Sequence, residues 1–227
     1  MVGGASVSSG AVRLAIGAEI GASVVRAVKR AASGADAEVV GSVRRCRPIV
    51  GDVEILVDGA TPTQVRFALH SINAERGPPN KRGARAPWGD RYFKAVIPYQ
   101  VDDNVGRCDL DVFVCLPPAD YGVLRLIRTG SAHFSQAVVT RLHRYDLESR
   151  DGHIVNRSSG AIMPAPTEET VLRLARLAWI PPTEREMDNP ATLAEFRREA
   201  APWECQDRPI ARLCPTCGMV HVPGACR

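Results

Sequence analysis

The chain has 227 residues, 45% of them hydrophobic and 24% charged, a balance that excludes an intrinsically disordered protein and describes a soluble globular one. Its net charge of +4 is nearly all arginine, with lysine only at Lys29, Lys81 and Lys94, which is compatible with a phosphate-rich partner. No apolar run reaches membrane-spanning length, the start MVGGASVSSG lacks the pattern of a secretory signal, and seven cysteines, an odd number, argue against a disulfide framework. The expected location is therefore cytoplasmic.

Residues 1–10 are Gly/Ser-rich and read as a flexible N-terminus. From Ala11, the spacing of Ile20, Val24 and Val28 predicts an amphipathic helix ended by Ser33-Gly34. Ala37 to Val40 is strand-like and stops at Gly41 and Ser42, where a small residue lets backbone N–H groups approach a phosphate; Arg44 and Arg45 follow with guanidinium forks that match phosphate oxygens. In the next run, Val53, Ile55 and Val57 alternate with Asp52, Glu54 and Leu56, so a strand here projects both carboxylates from one face. Two like charges held that close resist ionising together, and Mg²⁺ between them removes the conflict. Taken singly, the acidic pair is equally a solvated strand face, Gly41-Ser42 a turn, and the arginines a wet surface.

Thr61-Pro62-Thr63-Gln64 reads as a capping box opening a helix with Val65, Leu69 and Ile72 on one side. The segment ERGPPNKRGARAPWGDR is too rich in Pro, Gly and Arg for regular structure; it is either a solvated loop or a contact surface for phosphates through Lys81, Arg82, Arg85 and Arg91, with Trp88 either stacking on a base or anchoring the loop. Tyr92 to Pro98 and Cys108 to Cys115 are predicted strands flanking a turn at Asp102-Asp103-Asn104, and the second strand puts Asp109 and Asp111 on a common face. Pro117-Pro118 closes this unit. Two short helices then meet at Thr129-Gly130-Ser131, with Ser131 as N-cap, and small strands at His153 to Val155 and Ala161 to Met163 suggest a hairpin sheet. Thr167 caps a further helix with Val171, Leu174 and Ala178 inward and with Glu168 and Glu169 at its positive end. His133, His143 and His153 are dispersed and read as surface or locally hydrogen-bonded groups, and Cys46, Cys108 and Cys115 as core residues in strand-like runs. Asn189-Pro190 opens a short helix. The tail changes character: Cys214 and Cys217 form a Cys-Pro-x-Cys-Gly knuckle that His221 and Cys226 can complete as a Zn²⁺ site, with Cys205 as a substitute.

The pattern Gly41-Ser42-x-Arg44-Arg45 followed by Gly51-Asp52-x-Glu54, with Thr129-Gly130-Ser131 far downstream, resembles the family X DNA polymerases, the polymerase beta group, and most closely its small phage and bacterial members that lack the lyase domain. The resemblance runs from about Leu14 to Arg185. It implies an α+β fold in which a nucleotidyltransferase palm, a mixed sheet with flanking helices, covers residues 11–118. A small α+β thumb at 119–186 and an extension at 187–227 carrying the zinc knuckle would follow. It further implies an enzyme adding nucleotides to a primer 3′-hydroxyl, with Asp52, Glu54 and Asp111 holding two Mg²⁺ or Mn²⁺ ions, Gly41, Ser42, Arg45 and, less directly, Arg44 gripping the triphosphate, and Thr129, Gly130 and Ser131 beside the sugar. Leu110-Asp111-Val112-Phe113 fits the family's third acidic motif best, whereas Arg107-x-Asp109 fits an older form of it, which keeps Asp109 as an alternative or neighbouring ligand. Ile127 and Arg128 stand where polymerase beta has aromatic residues, and Ala132 and Ser135 where it has aspartate and asparagine, so sugar selection and minor-groove contacts are not carried over. The expected partners are gapped or primed DNA, a nucleoside triphosphate and a repair or replication protein, with no membrane; the chain is expected to be a monomer. The alternatives are nucleotide transfer to an RNA end, small molecule or protein, and a non-catalytic nucleic-acid-binding module.

Overall fold

The computed structural model describes residues 10–79 and 83–197, and the backbone alone of residues 212–213 and 220–221. A short strand, β1 (Val12–Arg13), leads into α1 (Leu14–Ala31), whose Ile16, Ile20, Val24, Ala27 and Val28 recur at three- and four-residue intervals and are buried. Next, β2 (Asp36–Val40) passes directly into the single-turn α2 (Gly41–Arg44). Beyond β3 (Ile49–Val50), which pairs with β1, comes β4 (Asp52–Asp58). The helix α3 (Pro62–Ser71) begins with the reciprocal cap read from the sequence: Gln64 N donates to Thr61 Oγ1 at 3.3 Å, and Thr61 N to Gln64 Oε1 at 2.9 Å. Then β5 (Glu75–Arg76), β6 (Tyr92–Val101) and β7 (Asn104–Cys115) complete a five-stranded mixed sheet in the order β2-β4-β7-β6-β5. Only β4 and β7 run parallel; the other neighbours are antiparallel. The expectation of an α+β fold is met at this level.

The sheet has two different faces because its strands alternate. Val53, Ile55 and Val57 of β4 and Leu110, Val112 and Val114 of β7 turn toward α1 and α3 and form the larger apolar core with them. The opposite face begins acidic and ends apolar. Leu56 and Phe113 make a small separate cluster there with Val40, and Tyr92, Tyr121 and Leu124 pack against it.

The second half builds its own core. Helices α4 (Tyr121–Thr129) and α5 (Ala132–Leu142) precede the strands β8 (Leu147–Arg150), β9 (His153–Asn156) and β10 (Ile162–Met163), which form a three-stranded antiparallel sheet; α6 (Glu168–Leu174) and α7 (Pro190–Arg197) follow. Val123, Leu126, Phe134, Val138, Leu142, Ile154 and Leu172 are buried together here. Ser131 caps α5 by accepting from Phe134 N at 3.3 Å, and Thr167 caps α6 by accepting from Thr170 N at 3.2 Å, as their positions predicted.

Three local expectations fail. The helix after Thr167 stops at Leu174 because Arg176 adopts φ 52°, so Ala178 is exposed instead of facing inward. Cys46 is exposed at φ 58° in the turn after α2, whereas Cys108 and Cys115 are buried in β7 as expected. His153 is not a surface group: it is buried, and its Nδ1 has no hydrogen-bond partner among the described residues. In the tail, β11 (Arg212–Leu213) pairs with β12 (Val220–His221), while the expected zinc ligands Cys214, Cys217 and Cys226, with the His221 side chain, lie outside the described residues. No helix among the described residues is long and apolar enough to cross a membrane.

The two cores are tied together by a buried charge cluster that the sequence did not announce. Glu168, fully buried at the start of α6, accepts from Arg44 of α2 through both carboxylate oxygens, at 2.8 and 2.7 Å. It also pairs with the fully buried Arg185, and Arg125 of α4 stands 3.5 Å away. Burial alone would raise the Glu168 pKa, but the hydrogen bonds from Arg44 and Arg185 outweigh it and hold the carboxyl below its ordinary range. Removing the carboxylate strands two arginines without water or a counter-ion. Glu168→Ala should therefore destabilise the protein by about 3–5 kcal/mol in urea unfolding; a loss under about 1 kcal/mol would show that the cluster is not a structural tie.

Candidate active site

The parallel pairing of β4 with β7 sets the site. Asp52 lies opposite Asp109 and Glu54 opposite Asp111, so the four carboxylates start from one face of adjacent strands. Their Cα atoms sit at the corners of a patch about 4.8 Å across the strands and about 7 Å along them. The ladder extends this row on both sides: Val40 pairs with Glu54, and Lys94 of β6 with Asp111. Lys94 Nζ is 3.2 Å from Asp111 Oδ1. The adjacent row, Leu56, Phe113 and Tyr92, is where the face turns apolar and α4 covers it.

Gly41 roofs the carboxylates. At φ 65° it turns the chain from β2 into α2, and a Cβ placed on it would lie 1.8 Å from Glu54 Oε2. Glycine is thus required twice, by the left-handed backbone and by the approach of the Glu54 carboxylate. Next to it, Ser42 Oγ is buried without a hydrogen-bond partner among the described residues, and so is Asp109 Oδ1.

The arginines beyond Ser42 point away, toward the second core. Besides its bonds to Glu168, Arg44 donates to Thr129 Oγ1 at 2.6 Å. Arg45 donates to the Thr129 carbonyl at 2.7 Å and to Glu186 Oε1 at 2.8 Å. Thr129 is accordingly docked on Arg44 of α2 and on Arg45 just beyond it. Gly130 is packed so closely that a Cβ would meet the Phe134 ring at 2.5 Å and Ser135 Oγ at 2.7 Å.

Glu54 and Asp111 also line a cavity of about 480 Å³ walled by Arg91, Tyr92, Phe113, Leu124 and Arg128. Tyr92 stacks on Phe113 with ring centres 5.0 Å apart, and the Arg128 guanidinium covers Phe113 at 3.8 Å. Trp88, by contrast, is edge-on to Phe93 at 5.4 Å and close to His70, so it anchors its loop. Sequence reasoning missed Lys94, Arg128 and the Tyr92–Phe113 pair. Lys94 did carry a signal, being the one charged residue in the strand YFKAVIP, in phase with Tyr92. Arg128 carried none, since a surface-facing helix arginine reads the same way.

Electrostatics explain why the patch is unsettled without a cation. Burial, then the neighbouring Asp52 and Asp111, push the Glu54 carboxyl up to about 7, against partial relief from Arg128 and Arg45. Burial and Asp111 likewise raise Asp52, which Lys94 partly offsets. Among the described residues no three Asp, Glu, His or Cys side chains already converge as an ion's ligands. The donor set nonetheless suits a hard divalent cation: all oxygen, short of compensating charge, with one buried carboxylate oxygen lacking a partner. Cys108, on the other face of β7, is no competing ligand; burial first and Asp109 second lift its thiol to about 11.

Two outcomes follow. A folded-state pKa raised above the unfolded value stabilises the protein at low pH and ceases to do so as pH rises through it. In the absence of divalent ions, the Glu54 contribution to stability should therefore be present below about pH 4.5 and be lost by about pH 7, and Glu54→Gln should flatten that part of the Tm profile. Gly41→Ala should displace the Glu54 carboxylate and lower Tm, by at least the ~1 kcal/mol cost of a left-handed alanine; an unchanged Tm would show that the approach is not tight.

No family model matches the chain, and no curated protein matches it either, so the chemistry of this site is read from its own residues.

Proposed function

We propose that the chain is a nucleotidyltransferase of the family X DNA polymerase type, extending a primer 3′-hydroxyl with nucleotides from a nucleoside triphosphate. The observation that carries this reading is the in-register placement of Asp52 and Glu54 against Asp109 and Asp111, with Gly41 closing over Glu54. In this reading residues 11–118 act as palm and 119–186 as thumb.

Asp52, Glu54 and Asp111 would hold Mg²⁺ or Mn²⁺, with Asp109 as neighbouring ligand. Asp111 is preferred as the third ligand because it lines the cavity with Glu54. The bound ions would supply a lowered pKa for the primer hydroxyl and charge stabilisation for the transferring phosphoryl group and departing pyrophosphate. Gly41 and Ser42 would receive the β and γ phosphates, and the unpartnered Ser42 Oγ gives them a donor. Arg45 would join them by exchanging Glu186 for a phosphate oxygen, whereas Arg44, tied to Glu168, contributes by holding α2 in place. Donors preset around a site where negative charge grows stabilise the transition state more than the ground state. Thr129, Gly130 and Ser131 would stand beside the nucleotide's sugar. A cytoplasmic repair or replication role, DNA as partner and zinc in the tail belong to the same proposal.

The test is extension of a labelled primer, alone and across a one-nucleotide gap, with each deoxy- and ribonucleotide and Mg²⁺. Asp52→Ala and Asp111→Ala should each lower addition by at least about a thousandfold with the fold intact. Near-normal activity in Asp111→Ala would move the third ligand to Asp109. Addition blind to the template would make the protein a terminal transferase, and no addition to any DNA end would turn the search to RNA, small-molecule or protein acceptors.

A further inference from the structure

Lys94 is the cation built into the acidic row. It is contributed by β6, two strands away from Asp52 and Glu54, and its ammonium reaches across the ladder to Asp111 Oδ1 at 3.2 Å. Its same-face neighbours on β6 are Tyr92 and the buried Val96, so its own strand offers it no other anion. Other nearby cations have their direct contacts elsewhere, although Arg128 and Arg45 act on Glu54 at longer range. Arg107, two residues before Asp109, pairs with Glu75 at 2.6 Å; Arg128 lies over Phe113, and Arg45 is held by Glu186 and Thr129. Asp111 is the most deeply buried of the four carboxylates, with a side chain 13% exposed against 33% for Lys94. A carboxylate so placed, with Glu54 beside it, is stabilised in its charged form by a nearby counter-charge.

An ammonium held at Asp111 Oδ1 weakens that carboxylate's hold on a divalent ion, because the two positive charges repel at such a distance. We infer that Lys94 is a positioning residue for the acidic site: a tethered ammonium that holds Asp111 and competes with a divalent ion for it, so that it sets the ion concentration at which the site fills. The inference rests on the proposed reading of the carboxylates as metal ligands. It adds that the site is guarded by a competitor on a flexible four-carbon stem, one-third exposed and thus able to swing out.

The experiment is Mn²⁺ binding to the full-length chain without nucleotide, followed by the electron paramagnetic resonance signal of the free ion. Lys94→Met and Lys94→Gln should bind Mn²⁺ about tenfold more tightly than the wild type, the attraction being partly screened by solvent. Lys94→Arg, which keeps the charge, should stay near the wild-type affinity. In an Asp111→Asn background, Lys94→Met should tighten binding by much less than in the wild type, because only its longer-range repulsion through Asp52 remains. Equal affinities in wild type, Lys94→Met and Lys94→Gln, with binding lost in Asp52→Asn, would overturn the role of Lys94 while leaving the metal site standing. Absence of binding in every form would overturn both.

Discussion

The parallel pairing of β4 with β7 forces like charges together, and much of the surrounding structure answers to that constraint. In-register parallel strands leave Asp52, Glu54, Asp109 and Asp111 no choice of face, since a slip of one residue would send Val53, Ile55, Leu110 and Val112 out of the main core. Burial of those side chains on the far face fixes the register; repulsion on the near face is its cost. That cost is contained by cations from three directions: Lys94 from β6, Arg128 from α4 and Arg45 from the turn after α2. Such a patch costs stability wherever its carboxyls are held ionised, as the raised Asp52 and Glu54 carboxyls show. Sites that keep an unfavourable arrangement of charge are where function is to be sought.

The short segment from Gly41 to Arg45 joins this patch to the rest of the molecule. Its first residue, Gly41, lies against Glu54, and its last two reach into the second core, where Arg44 meets Glu168 and Arg45 meets Thr129 and Glu186. The segment divides these tasks between its two ends: Gly41 opens α2 against Glu54, and Arg44 at its close reaches Glu168. The same arginines that match phosphate chemistry thereby fix where the Thr129-Gly130-Ser131 junction sits. Any movement of α4 or α6 against the sheet must rearrange the contacts of Arg44, Arg45 and Glu168, together with those of Tyr121 and Arg125 to Glu38 of β2.

Local pattern was enough for most of the elements. Period-2 alternation placed Asp52 with Glu54 and Asp109 with Asp111; the capping box at Thr61 and the caps at Ser131 and Thr167 fall where side-chain chemistry put them. Failures came where local and tertiary preferences part. Arg176 leaves the helix for a left-handed conformation that no arginine favours by itself, and Cys46 does the same after α2, so Ala178 and Cys46 end up exposed. Glu168 looked like an ordinary first-turn acid, and its burial among arginines is invisible in a chain where Arg44 lies 124 positions away.

By itself, then, the sequence determined which residues share a face, where helices begin and which stretches hold the acidic and Gly-Ser-Arg-Arg patterns, because side-chain alternation and capping depend on neighbours only a few residues off. The tertiary structure alone decided that the two acidic pairs stand opposite one another in register, that Lys94 answers Asp111, and that Arg44 and Arg45 hold Thr129. Those facts depend on which strand lies beside which and on which charge is left without water. Such matters are settled by burial across the whole chain and not by any local period.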